Sequence, residues 1–531
     1  MRSILLGAAL LAATSASAGT VTVAIDAAAD KHAINPLIYG VAWATKDELA
    51  ALNAPLNRMG GNSTSDYGWK ADAQNLDDDW YFESYPDSSA EHGGYADSFV
   101  RDTQAAHAQP MLTIPLVGWV AKLGSGRAIL PAFSVKKYGA QCSVDPYDSD
   151  AGDGVKPDCS TNITGNDPND AYIADSPAHE QEWIAHLLSK WGTAAVGGVP
   201  YYLMDNEPSI WFTTHRDIHP VGPHAKEYRD KVEAESADIK KADPNAKIVA
   251  PEEWGWGGYF NSGYDQWYGA LHGWDKRPDY NNEQNGLDYI PWLLKEWKAH
   301  GHPVDVLSVH FYPQGAEFGN DVSTATRLLR NRSTRQLWDT KYVSESWIDA
   351  PVYLIPRMKQ WISKYYYAGT PIAITEYNWG AESNINGATT QADIYGIFGR
   401  EGLDMATRWE VPGSDTPTFK AMQMYRNYDG KDSTFGDTSV EATVPDPDDL
   451  SAFAALRGKD GALTVMVINK QLSAAQSVKL TLADFAASGS AQVWRLTKSN
   501  AIQKLANLKW SGGVLKDDEP AESITLYVLP K

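Results

Sequence analysis

The sequence predicts an α/β protein that consists of a (β/α)8 (TIM) barrel and a small all-β sandwich. Short apolar runs alternate with helical stretches between residues 32 and 437, which is typical of βα units around a parallel sheet. From residue 438 to residue 531 the pattern changes to short strands, and residues 19–31 contain a strand of the same alternating kind. We therefore expect the C-terminal segment and the N-terminal strand to form the sandwich together.

Residues 1–18 have the features of a secretory signal peptide. Arg2 supplies a positive charge, residues 4–13 are apolar, and Ala16-Ser17-Ala18 is a small-residue cleavage site before Gly19. The apolar stretch is too short to span a bilayer, and we expect no membrane helix in the rest of the chain. These features predict a secreted protein, either extracellular or periplasmic.

The composition is that of a globular protein with an acidic surface. Of the 531 residues 43% are hydrophobic, and the formal net charge is -21. This charge argues against nucleic acid or an anionic membrane as a partner, because both would repel it. The 20 Trp and 27 Tyr suit either a large core or a groove whose flat rings stack on sugars. The composition does not indicate an oligomeric state.

Eight apolar runs are the candidate barrel strands. Most are apolar throughout, as expected for strands that are covered on both faces. They are residues 37–41, 56–59, 111–115, 201–204, 247–250, 304–310, 371–375 and 403–407. A helix between the third and fourth strands is well marked, because Ser176 can cap it, Pro177 can begin it and Gly192 can end it.

The sandwich strands are shorter and alternate between apolar and polar residues. Asp460-Gly461 is a hairpin signal between the first two of them. We predict strands at residues 451–456, 463–469, 476–482, 491–496 and 523–529.

Two glutamates occupy equivalent places in this pattern. Glu207, in the tetrad Asp205-Asn206-Glu207-Pro208, follows the fourth predicted strand, and Glu376 follows the seventh. Functional residues of such barrels lie at the carboxyl ends of the strands, so both side chains should face each other across one mouth. Two opposed carboxyl groups are what the cleavage of a glycosidic bond requires.

Several polar residues are expected beside this pair. Asn206 is placed to bond a sugar 2-hydroxyl, and Tyr312 to donate a hydrogen bond to Glu376. Arg58 would face Glu376, or else form an ordinary structural ion pair. His310 would join the site, or else be a satisfied histidine of the core.

Several tryptophans follow predicted strand ends, where some would line a sugar-binding cleft and others would pack inward. The candidates are Trp69, Trp119, Trp211, Trp254, Trp256 and Trp379.

The segment around residues 142–159 carries two further predictions. Cys142 and Cys159 are the two cysteines of the chain, and an exported protein with one such pair is expected to form a disulfide. Asp148, Asp150 and Asp153 lie in an acidic, glycine-containing loop that predicts a structural Ca2+ site or a solvated acidic loop. We expect no cofactor for catalysis.

Four segments resemble glycoside hydrolase family 44, within the clan of retaining (β/α)8 glycosidases. They are residues 58–67 (RMGGNSTSDY), 205–220 (DNEPSIWFTTHRDIHP), 374–378 (ITEYN) and 425–430 (YRNYDG). The resemblance implies endo-acting cleavage of β-1,4-glucans with retention, often extending to xyloglucan. It also implies that Glu207 is the acid/base, that Glu376 is the nucleophile, and that Trp409 lies under the sugar next to the cut.

Two other functions remain compatible with the sequence. One is a related barrel hydrolase that acts on xylan or mannan, and the other is a catalytically silent polysaccharide-binding protein. In each case the expected partner is a β-1,4-linked polysaccharide. The sequence does not indicate a preference among cellulose, xyloglucan, xylan and mannan.

Overall fold

The computed structural model describes residues 20–87 and 89–531. The predicted signal peptide, residues 1–18, lies outside the described residues. In chain order the strands are β1 (Val21–Asp26), β2 (His32–Ala33), β3 (Gly40–Ala42), β4 (Leu56–Met59), β5 (Ala73–Asn75), β6 (Glu83–Pro86), β7 (Gln109–Ile114), β8 (Trp119–Ala121), β9 (Leu130–Pro131), β10 (Tyr172–Ala174), β11 (Tyr201–Met204), β12 (Lys247–Glu253), β13 (Val306–Phe311), β14 (Ile372–Tyr377), β15 (Met405–Arg408), β16 (Thr438–Thr443), β17 (Leu450–Leu456), β18 (Leu463–Asn469), β19 (Gln476–Ala483), β20 (Gly489–Leu496), β21 (Gln503–Trp510), β22 (Val514–Glu519) and β23 (Ser523–Leu529).

The helices lie mostly between the barrel strands. They are α1 (Lys46–Leu52), α2 (Gly94–Ala105), α3 (Val135–Tyr138), α4 (Pro177–Trp191), α5 (Trp211–Thr214), α6 (Ala225–Ala242), α7 (Trp256–Phe260), α8 (Gly263–His272), α9 (Pro278–Asn282), α10 (Tyr289–Ala299), α11 (Thr324–Ser333), α12 (Leu354–Tyr365), α13 (Ile385–Arg400) and α14 (Pro417–Arg426). Helix α4 begins at Pro177 and ends before Gly192, as predicted, but the Ser176 side chain makes no capping hydrogen bond. Among the described residues, no helix combines the length and the apolar character needed to cross a membrane.

Eight parallel strands close the predicted barrel. Going round the ring, the order is β3, β4, β7, β11, β12, β13, β14 and β15. One apolar residue from each of seven strands forms a separate buried cluster, which fills the barrel interior. The first strand is shorter than predicted, because Asn35 caps a 3-10 turn over Pro36–Tyr39 and the strand begins only at Gly40.

The C-terminal segment and the N-terminal strand share one sheet, which confirms the predicted sandwich. Strand β1 pairs antiparallel with β16 and parallel with β19. One common core holds apolar side chains from strands in both halves of the sheet, among them β1, β17, β19 and β23. The sequence missed β16, which lies between β17 and β1, and also β21 and β22, which lie at the two ends of the sheet order. Edge strands bury fewer side chains, so their apolar pattern is weaker.

Helix α13 connects the barrel to the sheet. Every residue of α13 from Ile385 to Gly399 is buried. Gly396 faces the Phe453 ring of β17 so closely that a Cβ atom there would lie 2.1 Å from a ring carbon. The barrel and the sheet therefore pack directly against each other through this helix.

Candidate active site

The loop after β11 holds Glu207 in an unusual backbone conformation. Asp205 and Glu207 have φ values of 67° and 49°, a region that side chains other than glycine rarely adopt. The buried Asp205 carboxylate accepts hydrogen bonds from Ser65 Oγ at 2.6 Å, from Leu116 N at 2.5 Å and from Trp211 Nε1 at 3.1 Å. These contacts fix the loop and thereby the direction of the Glu207 side chain.

Glu376 lies within β14, one residue before its end, and receives two strong donors. Arg58 Nη1 donates to Glu376 Oε1 at 2.6 Å, and the Tyr312 hydroxyl donates to Glu376 Oε2 at 2.7 Å. Arg58 is completely buried, so its charge interacts with the carboxylate with little screening by water. The two donors fix the orientation of this carboxylate.

The two glutamates share one small space. A carboxylate oxygen of Glu207 lies within 4.8 Å of a carboxylate oxygen of Glu376, and a ring nitrogen of His310 lies within the same distance of both. The Glu207 side chain is 16% exposed and that of Glu376 is 6% exposed, so both reach the surface of the mouth. This separation suits two carboxyl groups that act on the same sugar ring.

The environment raises the pKa of Glu207. Burial is the largest cause and the charge of Glu376 adds to it, while the hydrogen bond with His310 and the charge of His310 oppose it. A carboxyl group that holds its proton more firmly than usual is suited to act as a general acid.

A comparison with known proteins agrees with this geometry. A family model described as glycoside hydrolase family 44 matches residues 73–315. The solved structure of CelM2, described as a bifunctional glucanase-xylanase protein from a metagenome library, is 57% identical, has a TM-score of 0.95, and the match covers 96% of this chain and 99% of that one. A Paenibacillus polymyxa xyloglucanase from family 44 is 27% identical with a TM-score of 0.80, over 97% of this chain and 100% of that one.

The chain belongs to glycoside hydrolase family 44. A curated relative, Endoglucanase A of Paenibacillus lautus, is 28% identical over 512 residues, which is 91% of this chain and 68% of that protein. This family 44 chain is accordingly a glycoside hydrolase of the endoglucanase type.

Asn206 and Trp409 both lie against Gly61 in the family 44 site. The Asn206 side-chain oxygen accepts from Arg58 Nη2 at 2.9 Å and from Gly61 N at 3.2 Å. The Trp409 ring, which is partly exposed, lies against Gly61, where a Cβ atom would approach it to 2.5 Å. Gly61 also has a φ of 97°, so only glycine lets the backbone pass this close to the ring.

His310 belongs to the site and not merely to the core. Its Nδ1 lies 2.8 Å from Glu207 Oε1 and 3.5 Å from Glu376 Oε2. Its Nε2 lies 3.2 Å from Glu252 Oε2, a third carboxylate that sequence reasoning missed. Glu252 follows the apolar run of the fifth strand, so the strand-end signal that identified Glu207 and Glu376 was present there too.

The predicted tryptophans divide into two groups. The structure contradicts the prediction that Trp69, Trp211 and Trp379 bind substrate, because their exposed fractions are 6%, 0% and 3% and such rings present no face to a sugar. Their indole N–H groups donate to His179 O, Asp205 and Ser333 Oγ, as expected of buried tryptophans. Trp119, Trp254 and Trp256 are partly exposed and remain candidates for the cleft.

The predicted calcium ligands are engaged by their own loop. Asp150 accepts from Ser134 Oγ and Lys136 N, and the Asp153 carboxylate accepts from Ser143 N and Val155 N. Among the described residues, Asp148, Asp150 and Asp153 belong to no group of three ligand atoms that lie within 4.8 Å of one another. The proposed ligand set therefore does not converge on one point.

A different carboxylate beside this loop is better suited to a cation. Glu83 is fully buried, and no described residue donates a hydrogen bond to either of its oxygens. Burial raises the pKa of Glu83 to about 8, and the nearby charges of Asp145 and Asp148 add to the effect. Oxygen ligands are what Ca2+ prefers, but among the described residues Glu83, Asp145 and Asp148 also form no group of three ligand atoms within 4.8 Å of one another, so calcium binding stays a prediction. The adjoining loop is closed by the disulfide between Cys142 and Cys159.

Proposed function

We propose that this enzyme is a secreted, endo-acting β-1,4-glucanase that cleaves its substrate with retention of anomeric configuration. The observation that carries the proposal is the short separation of the Glu207 and Glu376 oxygens, within 4.8 Å. Retaining glycosidases hold their two carboxyl groups about 5–5.5 Å apart, whereas inverting enzymes need a wider gap to admit a water molecule.

The two carboxyl groups take different roles in a double displacement. The Glu376 carboxylate, oriented by Arg58 and Tyr312, attacks the anomeric carbon, while Glu207 gives its proton to the leaving oxygen. A water molecule then attacks the glycosyl ester, and Glu207, now ionised, accepts the proton of that water. In this second step Glu376 is esterified and carries no charge, so it no longer raises the pKa of Glu207.

The stereochemical course tests this proposal directly. Proton NMR of the first products from a soluble β-1,4-glucan is expected to show the β-anomer before mutarotation. Glu376→Gln and Glu207→Gln should each lower kcat/KM on the polymer by a factor of about 10^3 or more, because each removes a group that forms or breaks a bond. Glu91→Gln, a change of an exposed glutamate in the segment before α2, is the matched control and should stay within a few fold of the wild type.

Three results would contradict the proposal. The α-anomer appearing first would indicate inversion, and polymer cleavage that survives Glu376→Gln would remove the proposed nucleophile. Polymer binding without cleavage by the wild type would indicate the silent polysaccharide-binding protein instead.

The choice of polymer needs its own assay. Xylan is the second candidate, because the 57% identical CelM2 is described as a glucanase-xylanase. We expect kcat/KM to be highest on β-glucan or xyloglucan in a panel that also contains xylan and mannan. A higher value on xylan or mannan would overturn the glucanase assignment and leave the two-carboxylate mechanism intact.

Secretion is supported by Arg2, by the apolar residues 4–13 and by Ala16-Ser17-Ala18. The Cys142–Cys159 disulfide is compatible with an oxidising compartment. N-terminal sequencing of protein exported by a bacterial host should find Gly19 first. Retention of the full-length chain in the cytoplasm would contradict secretion.

A further inference from the structure

Glu252 and Glu253 are neighbouring carboxyl groups that serve different surroundings. Both are fully buried at the carboxyl end of β12, where a bulge interrupts the strand and Glu252 has a φ of 58°. Glu252 contacts Arg58, His310 and Thr375. Glu253 instead accepts a hydrogen bond from Ser209 Oγ, two residues after Glu207. Burial raises the pKa of Glu253 well above its ordinary value. Burial would raise that of Glu252 too, but the hydrogen bond with His310 and the charge of Arg58 outweigh it and lower its pKa.

His310 is surrounded by acceptors at both ring nitrogens. Nδ1 faces Glu207 Oε1 and Glu376 Oε2, at 2.8 and 3.5 Å. Nε2 faces Glu252 Oε2 at 3.2 Å, and Arg58 Nη2, which can only donate, lies 3.4 Å from it and 3.2 Å from the same Glu252 oxygen. Nε2 therefore fits this position best when it carries a proton and donates to Glu252.

The protonation of His310 decides where the catalytic proton of Glu207 resides. If Nδ1 lacked a proton, it would be the strongest nearby acceptor, and Glu207 would direct its proton to the ring. With protons on both nitrogens, His310 donates to Glu207 Oε1, and the acidic proton is left on Oε2, the oxygen free to face a leaving group.

We propose that Glu252 is a positioning residue that keeps His310 doubly protonated and thereby directs the proton of Glu207 to the glycosidic oxygen. This inference rests on the proposed role of Glu207 as general acid. Glu252 acts only through His310 and Arg58, and it forms no bond with the substrate.

The charges around His310 support this assignment. Burial alone would lower the pKa of His310, but the charge of Glu376 and the hydrogen bonds with Glu207 and Glu252 raise it to about 9. Among the described residues, Arg58 is the one cation that contacts the ring, and the Tyr259 hydroxyl donates to the His310 carbonyl and makes no hydrogen bond with the ring nitrogens. The imidazole is therefore expected to be charged at neutral pH, and the Glu252 carboxylate contributes to that charge.

NMR titration of His310 in the wild type and in two variants is the direct test. Glu252→Gln keeps the size of the side chain and removes its charge, so the pKa of His310 should fall from about 9 toward that of an ordinary imidazole. Glu253→Gln is the matched control, because the adjacent, equally buried carboxyl group makes no hydrogen bond with His310. Its pKa is raised well above its ordinary value, so at neutral pH the change removes no charge and should leave the titration of His310 in place. An ordinary pKa of His310 in the wild type would overturn the proposal without any variant.

Kinetics with two kinds of leaving group separates this role from a merely structural one. In Glu252→Gln, kcat/KM for the polymer should fall about 10-fold to 100-fold, because its leaving oxygen needs a proton. For a dinitrophenyl glycoside, whose leaving group needs none, kcat/KM should change less than about 3-fold. Equal losses on both substrates would overturn the proposal, since they would place the defect at Glu376 or in the fold. If kcat/KM fell more for the polymer than for the dinitrophenyl glycoside but the products had the inverted configuration, the proposed function would be refuted instead.

Discussion

At the residue scale, the proposed nucleophile Glu376 depends on donors that come from other parts of the chain. Tyr312 lies just after β13, and its hydroxyl reaches Glu376 on β14 at 2.7 Å. Its ring also packs edge-on against Phe318, with ring centres 5.3 Å apart. The hydroxyl and the ring therefore have separable functions, one in chemistry and one in packing.

Tyr312→Phe should lower activity without lowering stability. The change keeps the contact with Phe318 and removes a hydrogen bond to a carboxylate, a bond of about 1.5–3 kcal/mol, which corresponds to about 10-fold to 100-fold in kcat/KM. Polymer assays and the melting temperature together check this. Tyr147→Phe, at a tyrosine that is 86% exposed, is the control for the loss of a hydroxyl. Unchanged kcat/KM in Tyr312→Phe would show that Arg58 alone orients the nucleophile.

At the scale of elements, the segment between β9 and β10 carries the calcium prediction, and its own contacts bear on that prediction. The calcium prediction was based on the spacing of Asp148, Asp150 and Asp153. In the structure, the carboxylates of Asp150 and Asp153 accept hydrogen bonds from Ser134 and Ser143 of the same segment. Glu83, on β6, lies some sixty positions earlier in the chain and has no donors among the described residues. The packing of β6 beside the loop places Glu83 near enough to Asp145 and Asp148 for their charges to raise its pKa.

Calcium should stabilise the chelator-treated protein through Glu83. A cation that binds only the folded state stabilises it by about 2.7 kcal/mol at one hundred times its Kd. We expect the melting temperature to rise with added Ca2+ in the wild type and to rise little in Glu83→Gln. Glu91→Gln, at an exposed glutamate, should respond like the wild type. A melting temperature that ignores Ca2+ in the wild type would refute the site.

At the scale of the whole molecule, a buried ion pair links the barrel to the sheet. Lys470, just after β18, donates to Asp393 of α13 at 2.7 Å, and both side chains are 3% exposed. Asp393 also accepts from Thr334 Oγ1, and Lys470 donates to Pro447 O. The pair lies where α13 packs on the sheet, so the two parts are expected to unfold together.

Asp393→Ala should destabilise the entire protein. The change leaves the Lys470 ammonium buried without its anion, which typically costs about 3–5 kcal/mol. Calorimetry is expected to show a single transition at a lower temperature. The double variant Asp393→Leu/Lys470→Met removes both charges and should recover much of the loss. Two separate transitions, with the barrel transition unchanged, would show that the barrel does not depend on the sheet.

The sequence by itself determined the barrel, the sandwich and the positions of Glu207 and Glu376. These features depend on local periodicity and on the rule that barrel strands present functional residues at their carboxyl ends, and both are written in consecutive residues. Only the tertiary structure decided which tryptophans face inward, that Glu252 contacts His310, and that Glu83 lies beside the acidic loop. Each of these outcomes depends on contacts between residues far apart in the chain. A local sequence pattern predicts that a residue lies at the end of a strand, but it does not specify which residues its side chain contacts.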